Sequence, residues 1–321
     1  MLEPTCELTT ILVSYNTRHL LDECLRALRV ATQSLSSSQI IVVDNASRDL
    51  SADYLADRYP EIELIRSPAN VGFGRANNLA LARTSGKFVL LLNTDAFVEP
   101  EVISRTLAFM ASHEDCGIVG VRLIGRDGIE QPSSRRFPTP WNIFLKRSGF
   151  HRFFPKVALV DGPRFVPPSA ESCDWVPGCY YLIRREVIEQ VGLFDPKYFL
   201  YFEEVDHCFA AKQRGWKVYC DPASTVVHIG GESAKSDGPV SAEGRQVGTL
   251  EIESALLFFR KNHGLEAVLL HVLLDAAADL IIALRCLKSP AHNDSFGFRW
   301  RRISSTLALC WRTSFGSVST R

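Results

Sequence analysis

Residues Phe88–Phe97 read FVLLLNTDAF. An unbroken apolar run of this length, closed by a polar triplet, is a strand buried on both faces and therefore a central member of a sheet. It ends in Asn93-Thr94-Asp95, which sets one carboxylate and one amide oxygen at its carboxyl end. Working outward, Leu8–Ser14, Ile40–Val43, Ile62–Ile65 and Ile118–Val121 are short runs of the same kind. Helical spacing fills the gaps between them. Leu20, Leu21, Cys24, Leu25 and Leu28 recur on one face, Phe73–Arg83 is closed by Ser85-Gly86, and Glu99-Pro100-Glu101 opens a further helix with proline at its first position. This alternation predicts an α/β fold, a mostly parallel central sheet flanked by helices on both faces. Ligands of such sheets gather at the carboxyl ends of the strands, where Asn16, Asp44 and Asn93–Asp95 all fall.

Composition narrows the partners. Lys+Arg and Asp+Glu are equal at 36 each, so global charge gives no argument for a nucleic-acid partner. The nine cysteines are scattered with no C-x-x-C pair, which points to reduced thiols in a cytosolic setting and to neither a disulfide framework nor a zinc site. The first ten residues, MLEPTCELTT, lack a basic region followed by an apolar run, so no signal peptide is expected.

After Val121 the pattern changes. Gly125–Glu171 is rich in Pro, Arg and aromatics with little periodicity, and reads as an excursion over the site or toward a partner. Asp174–Ile183 resumes as a strand, Arg185–Val191 is a helix turned off by Gly192, and another helix runs from about Gly244 to His263. Leu265–Leu287 is apolar enough to raise a transmembrane reading, but Asp275 and Asp279 lie within it and would be costly in a bilayer. An amphipathic helix is preferred. Beyond it, Trp300, Ile303, Leu307 and Trp311 follow helical spacing beside Arg301, Arg302 and Arg312, in a tail that starts at Lys288 and carries one acid, Asp294. Such a helix suits a membrane surface as well as it suits its own domain. The expected division is a catalytic domain over 1–264 and a basic, helical extension over 265–321.

Phe199–Gly231 gathers Glu203, Glu204 and Asp206 at the mouth of a short helix behind the aromatics Tyr198, Phe199, Tyr201 and Phe202, and then delivers His228 into a Gly-Gly turn. Acids at a helix start are ordinary dipole partners, and a lone histidine is usually a core or turn residue. Asp44-Asn45-Ala46-Ser47 is equally an Asx turn or an acid placed for a base or ribose. Asn70–Asn78, NVGFGRANN, sets Gly72 and Gly74 before a helix, where backbone N–H groups and Arg75 suit a phosphate; it lacks the third glycine of the dinucleotide fingerprint. Asp95 with His228 could hold a hard divalent cation alongside a diphosphate, the imidazole tilting preference from Mg²⁺ toward Mn²⁺.

In order along the chain, TTILVSYN, VVDNASRD, NVGFGRANN, LLNTDAF, WVPGCYYLIRR, LFDPKYFLYFEEVDHCFAAKQRGW and VVHIGG resemble the family 2 (GT-A) inverting glycosyltransferases, and within them the rhamnosyltransferase-like branch of bacterial cell-surface polysaccharide assembly. The resemblance covers Leu8 to Gly264. It implies a nucleotide-diphospho-sugar donor, with dTDP-rhamnose favoured, a Mn²⁺ or Mg²⁺ ion, and a saccharide or polyprenyl-diphosphate-linked acceptor. It also implies an enzyme that is cytoplasmic or peripheral on the inner face of the membrane. By the same resemblance Asn16, Asp44, Asn45, Gly72, Gly74, Arg75, Asn77, Asn93 and Asp95 face the donor, Asp95 and His228 the metal, and Trp175, Gly178 and Cys179 the acceptor. Glu204 is the general base, with Glu203 and Asp206 in support. Asn93 stands where the family's motif usually has its first acid, and Glu204 where aspartate is commoner. Two other readings compete: a sugar nucleotidyltransferase, disfavoured by VSYNTRHL in place of a basic Gly-rich loop after the first strand, and a non-catalytic carbohydrate-binding protein on the same fold.

Overall fold

The computed structural model describes residues 4–157, 159–161, 169–230, 245–286 and 293–321; Gly231, Gly244, Leu287 and Lys288, named above, lie outside them. In chain order the elements are β1 (Cys6–Ser14), α1 (Arg18–Thr32), β2 (Ser38–Asp44), α2 (Ser51–Arg58), β3 (Glu63–Arg66), α3 (Phe73–Leu81), β4 (Gly86–Asn93), β5 (Ala96–Val98), α4 (Val102–Ser112), β6 (Cys116–Ile124) and β7 (Glu130–Gln131). There follow α5 (Pro140–Ser148), a 3-10 turn (Phe150–Phe153), β8 (Glu171–Cys173), β9 (Tyr180–Arg184), α6 (Arg185–Val191), α7 (Glu203–Gln213), β10 (Lys217–His228), α8 (Arg245–Cys286) and α9 (Asn293–Arg312). The chain divides into two compact units, the first from 1–135, 163–196 and 203–243, the second from 136–162, 197–202 and 244–321.

The first unit is built on one sheet in the order β3-β2-β1-β4-β9-β6-β10-β5, with β7 on β6 and β8 on β10. β3, β2, β1, β4, β6 and β10 run the same way; β9 enters antiparallel between β4 and β6, and β5, β7 and β8 are antiparallel edges. The mostly parallel sheet read from sequence is therefore present, with its second half mixed. Ile11, Val42, Val43, Leu90 and Leu91 are fully buried, as strands covered on both faces must be. Leu21, Cys24, Leu25 and Leu28 of α1 are buried too, each leucine contributing roughly 1.5–3 kcal/mol.

Three readings shift. Pro100 precedes α4, whose N-cap is Glu101, because β5 and the turn closed by Val102 N–H on the Glu99 carbonyl take up the residues before it. The strand expected from Asp174 starts at Tyr180; Asp174–Gly178 is a loop whose Trp175 exchanges backbone hydrogen bonds with Arg135. Gly125–Glu171 contains β7 and α5, and α5 is specified by a Thr139–Asn142 capping box with proline at its start, not by a long apolar stripe.

The second unit takes α5 and residues 197–202 as well as the chain after 244, so the boundary read at 264 differs from the division observed. Gly264 is instead a break inside α8, at φ 82° and ψ −177°, a conformation open to glycine and strained for other residues. Phe144 and Leu145 of α5 pack with Ala278, Leu274 and Ile281 of α8. Asp275 and Asp279 are buried and paired. Arg147 bridges both, Arg302 reaches both at 3.6 and 3.4 Å, and Arg299 lies 3.3 Å from Asp279. His271, buried beside Arg147 and Arg302, is pushed down to about 3 by burial and then by those two cations, so it stays neutral.

Removing one member of such a cluster leaves buried charge uncompensated. Arg147→Met is expected to cost about 3 kcal/mol in urea unfolding; a loss below about 0.5 kcal/mol would show that the cluster is solvated.

Candidate active site

The parallel register aligns the strand ends. Ser14 pairs with Asp44 and Val13 with Asn93, so the loops after β1, β2 and β4 emerge at one level. The first two loops lock together: Asn16 is left-handed (φ 55°), its N–H donates to Ser47 Oγ at 3.0 Å, and its Oδ1 accepts from Arg48 N–H at 2.7 Å. Asp44 is buried, accepts Ser47 N–H on Oδ2 at 3.2 Å, and has no protein partner on Oδ1. One oxygen serves the turn and the other is left without a protein donor. Asn45 carries the framework to the glycine loop, donating to Asn70 Oδ1 at 2.9 Å and accepting Val71 N–H at 3.0 Å, while Gly72 N–H donates to Asn70 Oδ1 at 3.0 Å.

The segment after Gly72 also packs α3 against its neighbours. A Cβ on Gly74 would lie 3.2 Å from Phe194 Cβ and 3.5 Å from Glu203 Cβ, so this glycine lets α3 approach the carboxylate pair. Arg75 Nε donates to the Pro196 carbonyl at 2.5 Å, and Asn78 exchanges hydrogen bonds with Phe194 at 2.7 and 3.1 Å. Asn77 is fully buried with its Nδ2 on the Phe73 carbonyl at 3.0 Å. Arg75, Asn77 and Asn78 thus fix the 194–196 loop and α3 itself, a packing role that the charge and glycine pattern did not reveal.

Asp95 and His228 come together through β5. In its antiparallel pairing with β10, Ala96 lies opposite His228, which brings the histidine beside Asp95. The ring Nε2 is 3.6 Å from Asp95 Oδ1, and Asp95 Oδ2 accepts Gly230 N–H at 3.1 Å. Burial lowers the His228 pKa, with Asp95 opposing, so the imidazole is neutral and able to bind a cation. Two ligands about 2.1 Å from one ion, roughly 90–115° apart, sit about 3.0–3.6 Å from each other, so the pair fits a divalent ion. No larger His/Cys/Asp/Glu group suited to a metal occurs among the described residues. Asn93 is spent on the backbone, its N–H donating to the Cys179 carbonyl at 3.0 Å, while its side chain stays half-buried at the strand end.

Glu203, Glu204 and Asp206 occupy the first turn of α7. Glu203 is buried, and desolvation, with Glu204 beside it, holds its carboxyl well above the usual range. Glu204 is half-buried; burial raises it as well, while its own backbone N–H, Arg135 and the Gly178 N–H pull it back. Burial thus holds both carboxyls above the usual range, with Glu204 a further cause of the rise at Glu203. Asp206 is buried and does not line an open surface. Trp175 is also buried, with the Arg135 guanidinium 4.7 Å from its ring centroid, and Cys179 is buried with its thiol pushed up by desolvation, so neither offers a reactive group. Arg135 and Gln131, which meet Glu204 and His228, lie in a stretch lacking periodicity or motif, whereas Gly230 belongs to the Gly-Gly turn read after His228.

Residues 9–166 match the family model described as "Glycosyl transferase family 2". The chain is 28% identical over 247 residues to an N-acetylglucosaminyl-diphospho-decaprenol L-rhamnosyltransferase of Mycobacterium tuberculosis, covering 72% of this chain and 78% of that protein. It is 26% identical over 231 residues to the dTDP-rhamnosyl transferase RfbF of Shigella flexneri, covering 70% and 71%. Among solved structures, the mannosyltransferase PcManGT from Pyrobaculum calidifontis in complex with GDP-Man and Mn²⁺ superposes with a TM-score of 0.55 over 96% of this chain and 89% of that one, at 15% identity. That likeness shows a shared GT-A fold.

Glu203 supplies a test of the carboxylate pair. Between the unfolded carboxyl's pKa and its raised native value, the native state holds a proton that the unfolded state has released, so stability falls as pH rises through that window. Glu203→Gln is expected to raise the melting temperature at pH 8 by about 3 °C or more, with the gain vanishing toward pH 4. An equal change at both pH values would mean that the native protein does not raise the Glu203 pKa.

Proposed function

We propose that this chain, which belongs to glycosyl transferase family 2, is an inverting transferase that moves L-rhamnose from dTDP-rhamnose to a saccharide carried on a polyprenyl diphosphate. The observation that carries the inverting chemistry is the pairing of an Asp95–His228 clamp with a desolvated carboxylate, Glu204, at the carboxyl ends of one sheet. Rhamnose, the dTDP carrier and the lipid-linked acceptor rest on the relatives' names and on coverage of most of their length.

Asp95 and His228 would hold the divalent cation, which when bound offsets charge growing on the departing diphosphate. Asp44, with its free Oδ1, receives a donor from the base or ribose, and the Asn16–Asn45–Asn70 framework keeps that loop rigid. Glu204 accepts the acceptor hydroxyl proton as the oxygen attacks the anomeric carbon. The new C–O bond forms on the face opposite the breaking bond to the diphosphate, so the configuration inverts. Gly178 N–H and Arg135 keep Glu204 ionised enough to serve as the base, while its desolvation brings its basicity closer to neutrality.

A second feature bears on where the acceptor is met. One face of α8 carries Leu265, Leu269, Leu273, Leu280 and Leu284, all exposed, Leu273 at 67%, while His271, Asp275 and Asp279 point inward. Along α9, Trp300, Leu307 and Trp311 are exposed as well, beside Arg301 and Arg312. Apolar rows edged by aromatic and basic residues fit the surface of an anionic membrane, which supports a peripheral position on the cytoplasmic face. The span Gly248–Arg285 is long and apolar enough to cross a bilayer, but its buried, ion-paired aspartates favour lying on it.

Two experiments test these readings. In thermal melts with Mn²⁺ across a panel of nucleotide sugars, dTDP-rhamnose is expected to stabilise wild type and Glu204→Gln alike, while transfer by the variant falls about 10²-fold or more; stabilisation by another donor alone would replace the sugar, and near-normal turnover would remove Glu204 as base. Leu273→Glu with Leu280→Glu is expected to lower sedimentation with vesicles containing anionic lipid at least about tenfold without changing transfer to a water-soluble acceptor. Unchanged sedimentation would refute the membrane face.

A further inference from the structure

The short edge strand β7 ends at Gln131, which grips His228 twice. Gln131 Nε2 donates to the His228 carbonyl at 2.8 Å, and Gln131 Oε1 lies 2.9 Å from His228 Nδ1. Gln131 is itself fixed: it pairs with Leu123 across β6, and its carbonyl accepts Ser133 Oγ–H at 2.9 Å, while Ser133 Oγ accepts Leu123 N–H at 2.9 Å.

The chemistry of these partners determines where the imidazole proton sits. A backbone carbonyl only accepts, so the amide end facing the His228 carbonyl must be the NH₂ group. The end facing Nδ1 is therefore the amide oxygen, which only accepts as well. A neutral imidazole satisfying that contact carries its proton on Nδ1 and presents a lone pair on Nε2. That nitrogen is the one 3.6 Å from Asp95 Oδ1. The opposite tautomer would set a lone pair against the Gln131 oxygen and close Nε2 to any cation.

We propose that Gln131 is the positioning residue of the Asp95–His228 clamp: it selects the Nδ1–H tautomer and holds the ring so that Nε2 and the Asp95 carboxylate converge on one divalent ion. The inference rests on the metal-binding reading above. An outer hydrogen-bond partner that fixes a ligating histidine is commonly worth 10–100-fold in metal affinity. Gln131 does not touch substrate or ion, so its effect runs through His228.

The test measures Mn²⁺ affinity on the full chain by the electron paramagnetic resonance signal of free Mn²⁺, with dTDP present. Gln131→Met keeps the length of the side chain and removes both polar atoms; it is expected to weaken Mn²⁺ binding about 10–100-fold. Gln131→Glu keeps an oxygen facing Nδ1 and is expected to stay within about threefold of wild type. A role confined to bracing the His228 backbone would make Gln131→Glu as weak as Gln131→Met, because the carboxylate cannot donate to the carbonyl, and that result would overturn the tautomer assignment. His228→Ala separates the two levels of the argument. If it binds Mn²⁺ as wild type does, the metal-binding reading fails; if it loses the ion while Gln131→Met retains it, the role of Gln131 fails. Independently of metal, ¹⁵N shifts of His228 are expected to report Nδ1 protonated in wild type and a mixture in Gln131→Met. A wild-type ring protonated on Nε2 would refute the proposal.

Discussion

The parallel register of β1 against β2 and β4 is the constraint on which the rest depends. It brings Ser14, Asp44 and Asn93 to one level of the sheet, so three loops that are far apart in sequence begin side by side. Their backbones leave the strands through unusual conformations, Asn16 at φ 55° and Ala46 at φ 64°, which cost energy at non-glycine residues. The cost is met by short polar contacts running from Asn16 to Arg48 and from Asn45 to Asn70 and Val71. A slip of one residue in either pairing would turn every side chain of the strand to the opposite face of the sheet and separate these loops.

The other half of the site is assembled by antiparallel pieces added to this frame. β9 inserts between β4 and β6, and its preceding loop brings Gly178 N–H to Glu204. β5 pairs with β10 and so sets His228 next to Asp95. Division of labour follows from direction. Parallel strands supply the clustered loops after β1, β2 and β4, and antiparallel pairings set His228 beside Asp95 and Gly178 beside Glu204. Edge strands suit this use because their register can be set by three or four residues without disturbing the central core.

Much of this was legible in the sequence, and the limits have physical causes. Apolar runs identified the central strands because a doubly buried strand needs no alternation. Asp95, His228 and Glu204 stood out through the ordered series of segments that carry them, since acids at a helix start and a lone histidine are ordinary by themselves. The role of NVGFGRANN was less visible: glycine before a helix looks the same whether it admits a phosphate or, as at Gly74, a neighbouring side chain. Arg75 likewise satisfies a carbonyl on Pro196, a contact decided by a loop more than a hundred residues away. α5 escaped periodicity because a capping box and a proline specify its start. Gln131 carried no local signal at all, since its importance comes from facing His228 across the sheet edge.

The second unit shows why hydropathy alone misreads the C-terminal helices. α8 is apolar over most of its length, yet its polar residues are not scattered: His271, Asp275 and Asp279 repeat every four residues on the buried side. Arg147, Arg299 and Arg302 from α5 and α9 converge on that stripe, so the unit hides an ionic core and exposes leucines. This inverts the usual arrangement of a water-soluble bundle. A helix crossing a bilayer would have to carry these guanidiniums into hydrocarbon, at several kcal/mol each by the lowest measures. A helix lying at the interface leaves the cluster within the protein and gives only its leucines to the lipid. The same ion pairs that make spanning costly also fix which face of α8 is left exposed, because the aspartates turn toward their arginines.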